Sequence, residues 1–244
     1  MPRRALVLAP AAGLLATLLP LSGVAAATRG SGRSATETRQ LPDFQAIALG
    51  GAMDLDVRQG AVQSVQVVAD DNLLPLLETV VEGGSNGPTL QVRWKKGQSI
   101  YNSGKVQVSV TVPKLLAVAV NGSGDVKIDA FTTPSLQLAM SGSGSARLSQ
   151  LSTEELSVRI AGSGDVTGNG RATRLKVSIA GSGEVHLGEL SADEVSIKIA
   201  GSGDAAVNAQ KKLDVSIAGS GDVTYTGNAA VSMSTAGSGS VTKR

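Results

Sequence analysis

Gly-Ser-Gly occurs seven times in the second half of this 244-residue chain, starting at Gly122, Gly142, Gly162, Gly181, Gly201, Gly219 and Gly237. The intervals are 20, 20, 19, 20, 18 and 18 residues. The same frame surrounds each copy. Three aliphatics alternate with polar residues, then a small residue, the Gly-Ser-Gly, usually an acid, and another aliphatic follow, as from Leu175 to Val185. A fixed period of this size marks stacked units, none of which can bury its apolar side alone.

Alternation is the mark of a strand with one buried face. Leu136/Leu138/Met140, Leu156/Val158/Ile160, Leu175/Val177/Ile179, Val195/Ile197/Ile199 and Leu213/Val215/Ile217 are expected to point inward, with Gln137, Ser157, Arg159, Lys176, Ser178, Lys198 and Ser216 facing water. Val118/Val120 opens the series and Val231/Met233/Thr235 closes it. Each Gly-Ser-Gly reads as a corner, because glycine reaches positive φ without steric cost and lets successive corners stack closely. The structural-turn residues are thus Gly122, Gly124, Gly142, Gly144, Gly162, Gly164, Gly181, Gly183, Gly201, Gly203, Gly219, Gly221, Gly237 and Gly239. A second short strand follows each corner, as in Val126/Ile128 and Val185/Leu187. The predicted class is all-β: a parallel β-helix or β-solenoid of 18–20 residues per coil. Seven coils about 4.8 Å apart make a rod of roughly 34 Å.

Residues 41–116 are strand-like but irregular and read as N-terminal coils or a cap, with a short helix over 71–78 that has Pro75 near its first turn. Residues 117–244 carry the seven repeats, and 41–244 form one domain. Residues 28–40 are small, polar and charged without periodicity, and read as a flexible linker. Arg3-Arg4, an apolar stretch from Ala5 to Leu21 and Val24-Ala25-Ala26-Ala27 describe a secretory signal peptide over 1–27. The mature chain is therefore expected to be exported (periplasmic, cell-surface or extracellular) with no transmembrane span.

Removing that leader takes away Arg3 and Arg4, so 22 basic residues become 20 against 20 acids, and no basic patch points to nucleic acid. The absence of cysteine excludes disulfides, a thiolate nucleophile and cysteine-ligated metals. No cofactor is indicated. The chain stops five residues after Gly239, so the last coil presents an open edge that invites self-association or a partner.

After the corners stand Asp125, Ser145, Asp165, Glu184, Asp204, Asp222 and Ser240, five of them acids that would form a column. One reading is a ladder of hard-cation sites through Asp125, Asp165, Glu184, Asp204 and Asp222. The other is that each carboxylate bonds a nearby backbone N–H and locks its own turn. His186, the sole histidine, occupies an outward strand position, and no Gly-x-Ser-x-Gly elbow accompanies it, so a catalytic triad is not predicted. Arg93-Trp94-Lys95-Lys96 with Tyr101 is the one aromatic and basic cluster, a strand end with Trp94 against the cap or a place for a polyanionic glycan.

Phe44-x-x-Ile47, Ala69-Asp70-Asp71-Asn72-Leu73-Leu74, Leu90-x-Val92-x-Trp94-Lys95-Lys96-Gly97, Val112-Pro113-x-Leu115 and the repeated Gly-Ser-Gly-Asp-Val together resemble the bacterial "head GIN" domain of autotransporter adhesins. The resemblance covers about residues 41–242 and implies a right-handed parallel β-solenoid exported to the periplasm or surface. It carries over no catalytic or binding residue. The leading expectation is a non-catalytic adhesin or envelope scaffold, binding an envelope partner (glycan or protein) through its outward faces. A Ca²⁺- or glycan-binding solenoid is the alternative, and a polysaccharide-processing enzyme is disfavoured.

Overall fold

The computed structural model describes residues 27–101 and 104–244, so the expected signal peptide lies outside the described residues apart from its last position. From residue 117 onward each lap of chain runs up one face, turns at Gly-Ser-Gly, runs along a second face and returns along a third. The strands are β10 (Ala117–Gly122), β11 (Val126–Asp129), β12 (Thr132–Gly142), β13 (Ser145–Gly162), β14 (Asp165–Gly181), β15 (Glu184–Gly201), β16 (Asp204–Gly219), β17 (Val223–Thr226), β18 (Ala230–Gly237) and β19 (Val241–Lys243). Every pairing among them is parallel and joins a residue to its counterpart one lap away. About six turns result, and the β-solenoid reading holds.

The alternating aliphatics fill the interior: Leu136, Leu156, Val158, Leu175 and Leu213 have essentially no exposed surface. The chain adjusts lap length only away from the corner. Register shifts lie between Leu148 and Leu151, Thr167 and Asn169, Leu187 and Ser191, and Ala192 and Glu194, all after the second-face strand. Gly142, Gly162, Gly181, Gly201 and Gly219 meanwhile stay in unbroken register. Bulges on the return side thus absorb the 18-to-20-residue variation.

Two outward or inward expectations need correction. Ser157 is 6% exposed, although its register neighbours Gln137 and Lys176 are both exposed. Val231 and Met233 are 42% and 57% exposed, since no further lap covers the interior beyond them among the described residues.

The N-terminal part is ordered against the lap sequence. Its strands are β1 (Thr28–Arg29), β2 (Ser34–Arg39), β3 (Ala46–Gly50), β4 (Asp54–Gln59), β5 (Ser64–Asp70), β6 (Leu77–Gly84), β7 (Gly87–Trp94), β8 (Ile100–Tyr101) and β9 (Gln107–Val112). β3 and β4 form the first lap, paired in parallel with β10 and β11 on one side. On its other side lie β7 and β9, also parallel, although they follow it in sequence. β5 pairs antiparallel with β9, β6 with β7, and β2 with β5. Residues 60–113 are therefore an excursion that leaves the first lap, builds a layer beneath it and returns above it.

The expected flexible linker over 28–40 is in fact largely strand. Thr36, Thr38 and their neighbours pair antiparallel with Val65 to Asp70, and β1 pairs with β8. Polar alternation hid a strand whose role is to hydrogen-bond an otherwise open edge. The expected helix over 71–78 shrinks to a 3₁₀ turn, Leu74–Leu76. Pro75 lacks an N–H, and Leu77 already takes extended geometry to enter β6.

Candidate functional site

The corner is the most regular surface of the molecule. The first glycine of each Gly-Ser-Gly has φ between 126° and 149°. A Cβ there would collide with the carbonyl oxygen of the equivalent glycine one lap below. That same oxygen accepts the serine N–H above it: Ser163 N–Gly142 O is 3.0 Å, and Ser182, Ser202, Ser220 and Ser238 repeat the bond at 2.9 Å. The second glycine does not take positive φ, but a Cβ on it would enter the backbone of the lap beneath, at Gly144 O for Gly164 and at Gly183 O for Gly203.

An eighth corner, missed in the sequence, underlies these seven. Gly50 is in register with Asn121, and Leu55 with Val126, which sets Gly51-Ala52-Met53-Asp54 beneath Gly122-Ser123-Gly124-Asp125. Gly51 keeps positive φ at 101°. Met53 replaces the second glycine and is fully buried; beneath Asp54 stands Val106, whose carbonyl accepts the Asp54 N–H at 2.9 Å, and no Gly-Ser-Gly corner. The signal was the frame Ile-x-Leu-Gly-Gly-x-x-Asp-Leu-x-Val, Ile47 to Val57, whose Gly51 lies 71 residues upstream of Gly122 and so outside the period.

Asp125, Asp165, Glu184, Asp204 and Asp222 do form a column, extended downward by Asp54. Several of its carboxylates bond across laps, not within their own turn. Asp54 Oδ1 accepts from Asp125 N at 3.0 Å, Asp204 Oδ1 from Asp222 N at 2.7 Å, and Asp222 Oδ1 from both the N–H and hydroxyl of Ser240. Asp125 Oδ1 likewise accepts from Ser145 N and Oγ. Ser145 and Ser240 thus act as donors to the acid below them. Among the described residues no group of three or more histidines, cysteines or acids is arranged to hold a metal ion.

His186 is exposed, and its Nε2 lies 2.9 Å from Glu184 Oε2 on the same strand. Ser182 sits at the corner, with its backbone bonded to Gly162, and is not brought against the imidazole. The Arg93–Lys96 cluster is divided. Arg93 binds Glu78 at 2.7 Å and Glu82 at 2.7 Å; Glu82, and then Glu78, hold its guanidinium charged well above the ordinary range. Trp94 is half-buried and packs against the core beside Gly51. Tyr101 remains exposed in the β1–β8 pair.

The strand face before the corner carries a chequerboard that the sequence did not single out. Arg159, Ser178 and Lys198 are register neighbours, as are Ser157, Lys176 and Ser196 two positions earlier, and together they line one shallow depression. Lys176 donates to Glu155 Oε1 at 2.9 Å and Arg174 to Oε2 at 3.2 Å; these two bonds, Lys176 foremost, hold the Glu155 carboxyl below its usual 4.5. Arg159 and Lys198 have no ion-pair partner among the described residues. The arrangement can hold anions side by side on a rigid lattice.

A lattice of parallel laps closed by glycine corners, with a structured cap at one end, defines the class of the β-solenoids. Within that class, the chain belongs to the family described as "Putative auto-transporter adhesin, head GIN domain", whose profile matches residues 43–229. It is similar to a putative adhesin from Bacteroides fragilis at 26% identity, with a TM-score of 0.83 over 89% of this chain and 100% of that one. A structure described as a putative lipid binding protein from Parabacteroides distasonis is 27% identical, with a TM-score of 0.74 over 89% and 99%. A putative adhesin from the same species is 26% identical, with a TM-score of 0.65 over 88% and 99%. No protein of curated function matches the chain.

Proposed function

We propose that this protein is an exported, non-catalytic adhesion module that holds an anionic envelope polymer on the Arg159–Lys176–Lys198 face. The observation that carries the reading is the chequerboard: three cations on adjacent laps alternate with serines on one flat face, and two of them lack an ion-pair partner among the described residues. Neighbouring laps are about 4.8 Å apart, so the charges can meet successive acidic groups of a repeating chain. Family membership supports adhesion, and the leader-like residues 1–27 support export. Among the described residues no helix is long and apolar enough to cross a membrane.

The test is binding to immobilised acidic and neutral polysaccharides across a salt series. Retention on the acidic polymer should weaken as salt rises and be lost in K176E/K198E; equal retention on neutral polymer, or an unchanged double variant, would sink the reading. Because one similar structure is described as lipid-binding, anionic vesicles form a further arm: capture by vesicles alone would move the partner from polymer to headgroup. Surface labelling of intact cells tests the location separately.

A further inference from the structure

The outward columns on the strand face before the corner use their charge differently. In the column furthest from the corner Glu155, Arg174, Glu194 and Lys212 are successive register neighbours, so the sign alternates and the charges cancel. In the next column Lys176 is held by Glu155 at 2.9 Å and Asp214 by Lys212 at 2.6 Å. The third column contains no acid: Arg159, Ser178, Lys198 and Ser216 follow one another lap by lap, with Ala139 before them and Ser234 after. Arg159 and Lys198 are exposed and have no ion-pair partner among the described residues. They stand two laps apart, about 10 Å, with Ser178 between them. On the corner side, exposed Ala161, Ala180, Ala200 and Ala218 keep the neighbouring column low, which leaves room for ring-sized units.

From this spacing we infer that the polymer held here alternates an acidic sugar with a neutral one and lies along the solenoid axis, one sugar per lap. The inference rests on the polyanion reading above and narrows its ligand. In an extended chain of equatorially linked hexoses, each unit advances about as far as one lap, so alternate units fall two laps apart. Carboxylates on those units meet Arg159 and Lys198, and the neutral unit between them meets the Ser178 hydroxyl, which both donates and accepts. Matching of charge to charge is what gives such a face its selectivity. A chain with an acid on every unit gains nothing from the extra carboxylates. Those lying over Ser178 or Ser216 find only a hydroxyl, and they add repulsion along the polymer itself.

The test is titration calorimetry with two polysaccharides of matched length, one alternating a uronate with a neutral N-acetylhexosamine, the other a homopolyuronate. Tighter binding of the alternating chain is expected. R159S/S178R keeps the net charge but sets the two cations one lap apart; it should weaken that binding several-fold, as the loss of one exposed charge contact does. R159S/S178R/K198S/S216K moves both cations one lap along and restores the two-lap interval, so the affinity should return. Asp214, two positions from Ser216, is already engaged by Lys212 and does not take up the moved charge. Rescue of this kind separates spacing from misfolding. Equal affinity for both polymers, a double variant that binds the alternating chain undiminished, or a quadruple variant that melts like wild type yet stays weak overturns the inference and leaves the anion-binding face standing. No binding of either polymer overturns both.

Discussion

Two glycines flank each corner serine for different physical reasons. The first needs positive φ and space over the carbonyl below; the second needs only the space. Met53 shows the distinction, for where the underlying layer has no glycine corner the second position accepts a long side chain. Gly181→Ala should therefore cost at least about 1 kcal/mol in chemical denaturation, from backbone strain and a collision with Gly162. Gly188→Ala, where a Cβ would meet nothing within 4 Å and φ is not positive, should be neutral. Asp222→Ala removes two bonds from Ser240 and should cost roughly 1 kcal/mol, the net worth of an ordinary hydrogen bond. Glu155 sets a pH dependence. Its carboxyl titrates below the usual 4.5 in the folded chain, so its stabilising contribution is present above that value and is lost as pH falls through the lower folded pKa. Glu155→Gln should flatten that part of the acid unfolding profile, with stability near pH 2 unchanged from wild type.

At the scale of elements, the laps were legible in the sequence because one geometric demand recurs in every turn. Gly, Ser, Gly and the aliphatics before them follow from stacking alone. The irregular elements were not legible. β2 alternates polar with polar and buries little, so Ser34 to Arg39 carried no hydrophobic signal. The reversed order of β7 and β9 was equally hidden, since Leu90/Val92 and Val108/Val110 alternate like any lap strand, and nothing local says which neighbour they join. The cation-bearing face escaped notice for the opposite reason: outward positions are free to vary, so Arg159, Lys176 and Lys198 come together only once register is known. If the laps are as interchangeable as the unbroken corner register implies, a second copy of residues 182–201 inserted after Gly201 should fold. It should lengthen the rod by about 4.8 Å in X-ray scattering and leave thermal stability equal or higher.

For the whole molecule, the acid column runs the length of one edge, yet several of its carboxylates are already engaged by N–H and hydroxyl donors from the next lap. Melting temperature should accordingly be the same in millimolar Ca²⁺ and in EDTA; a rise of several degrees with Ca²⁺ would restore the cation ladder. The excursion of residues 60–113 has a temporal meaning as well. The lower surface of the first lap gains its parallel partners only when β7 and β9 are present, so as an exported chain emerges N-terminus first that lap waits unfinished until Val112 is out. From then on each new circuit finds a completed template, and assembly can follow the emerging chain from the base upward.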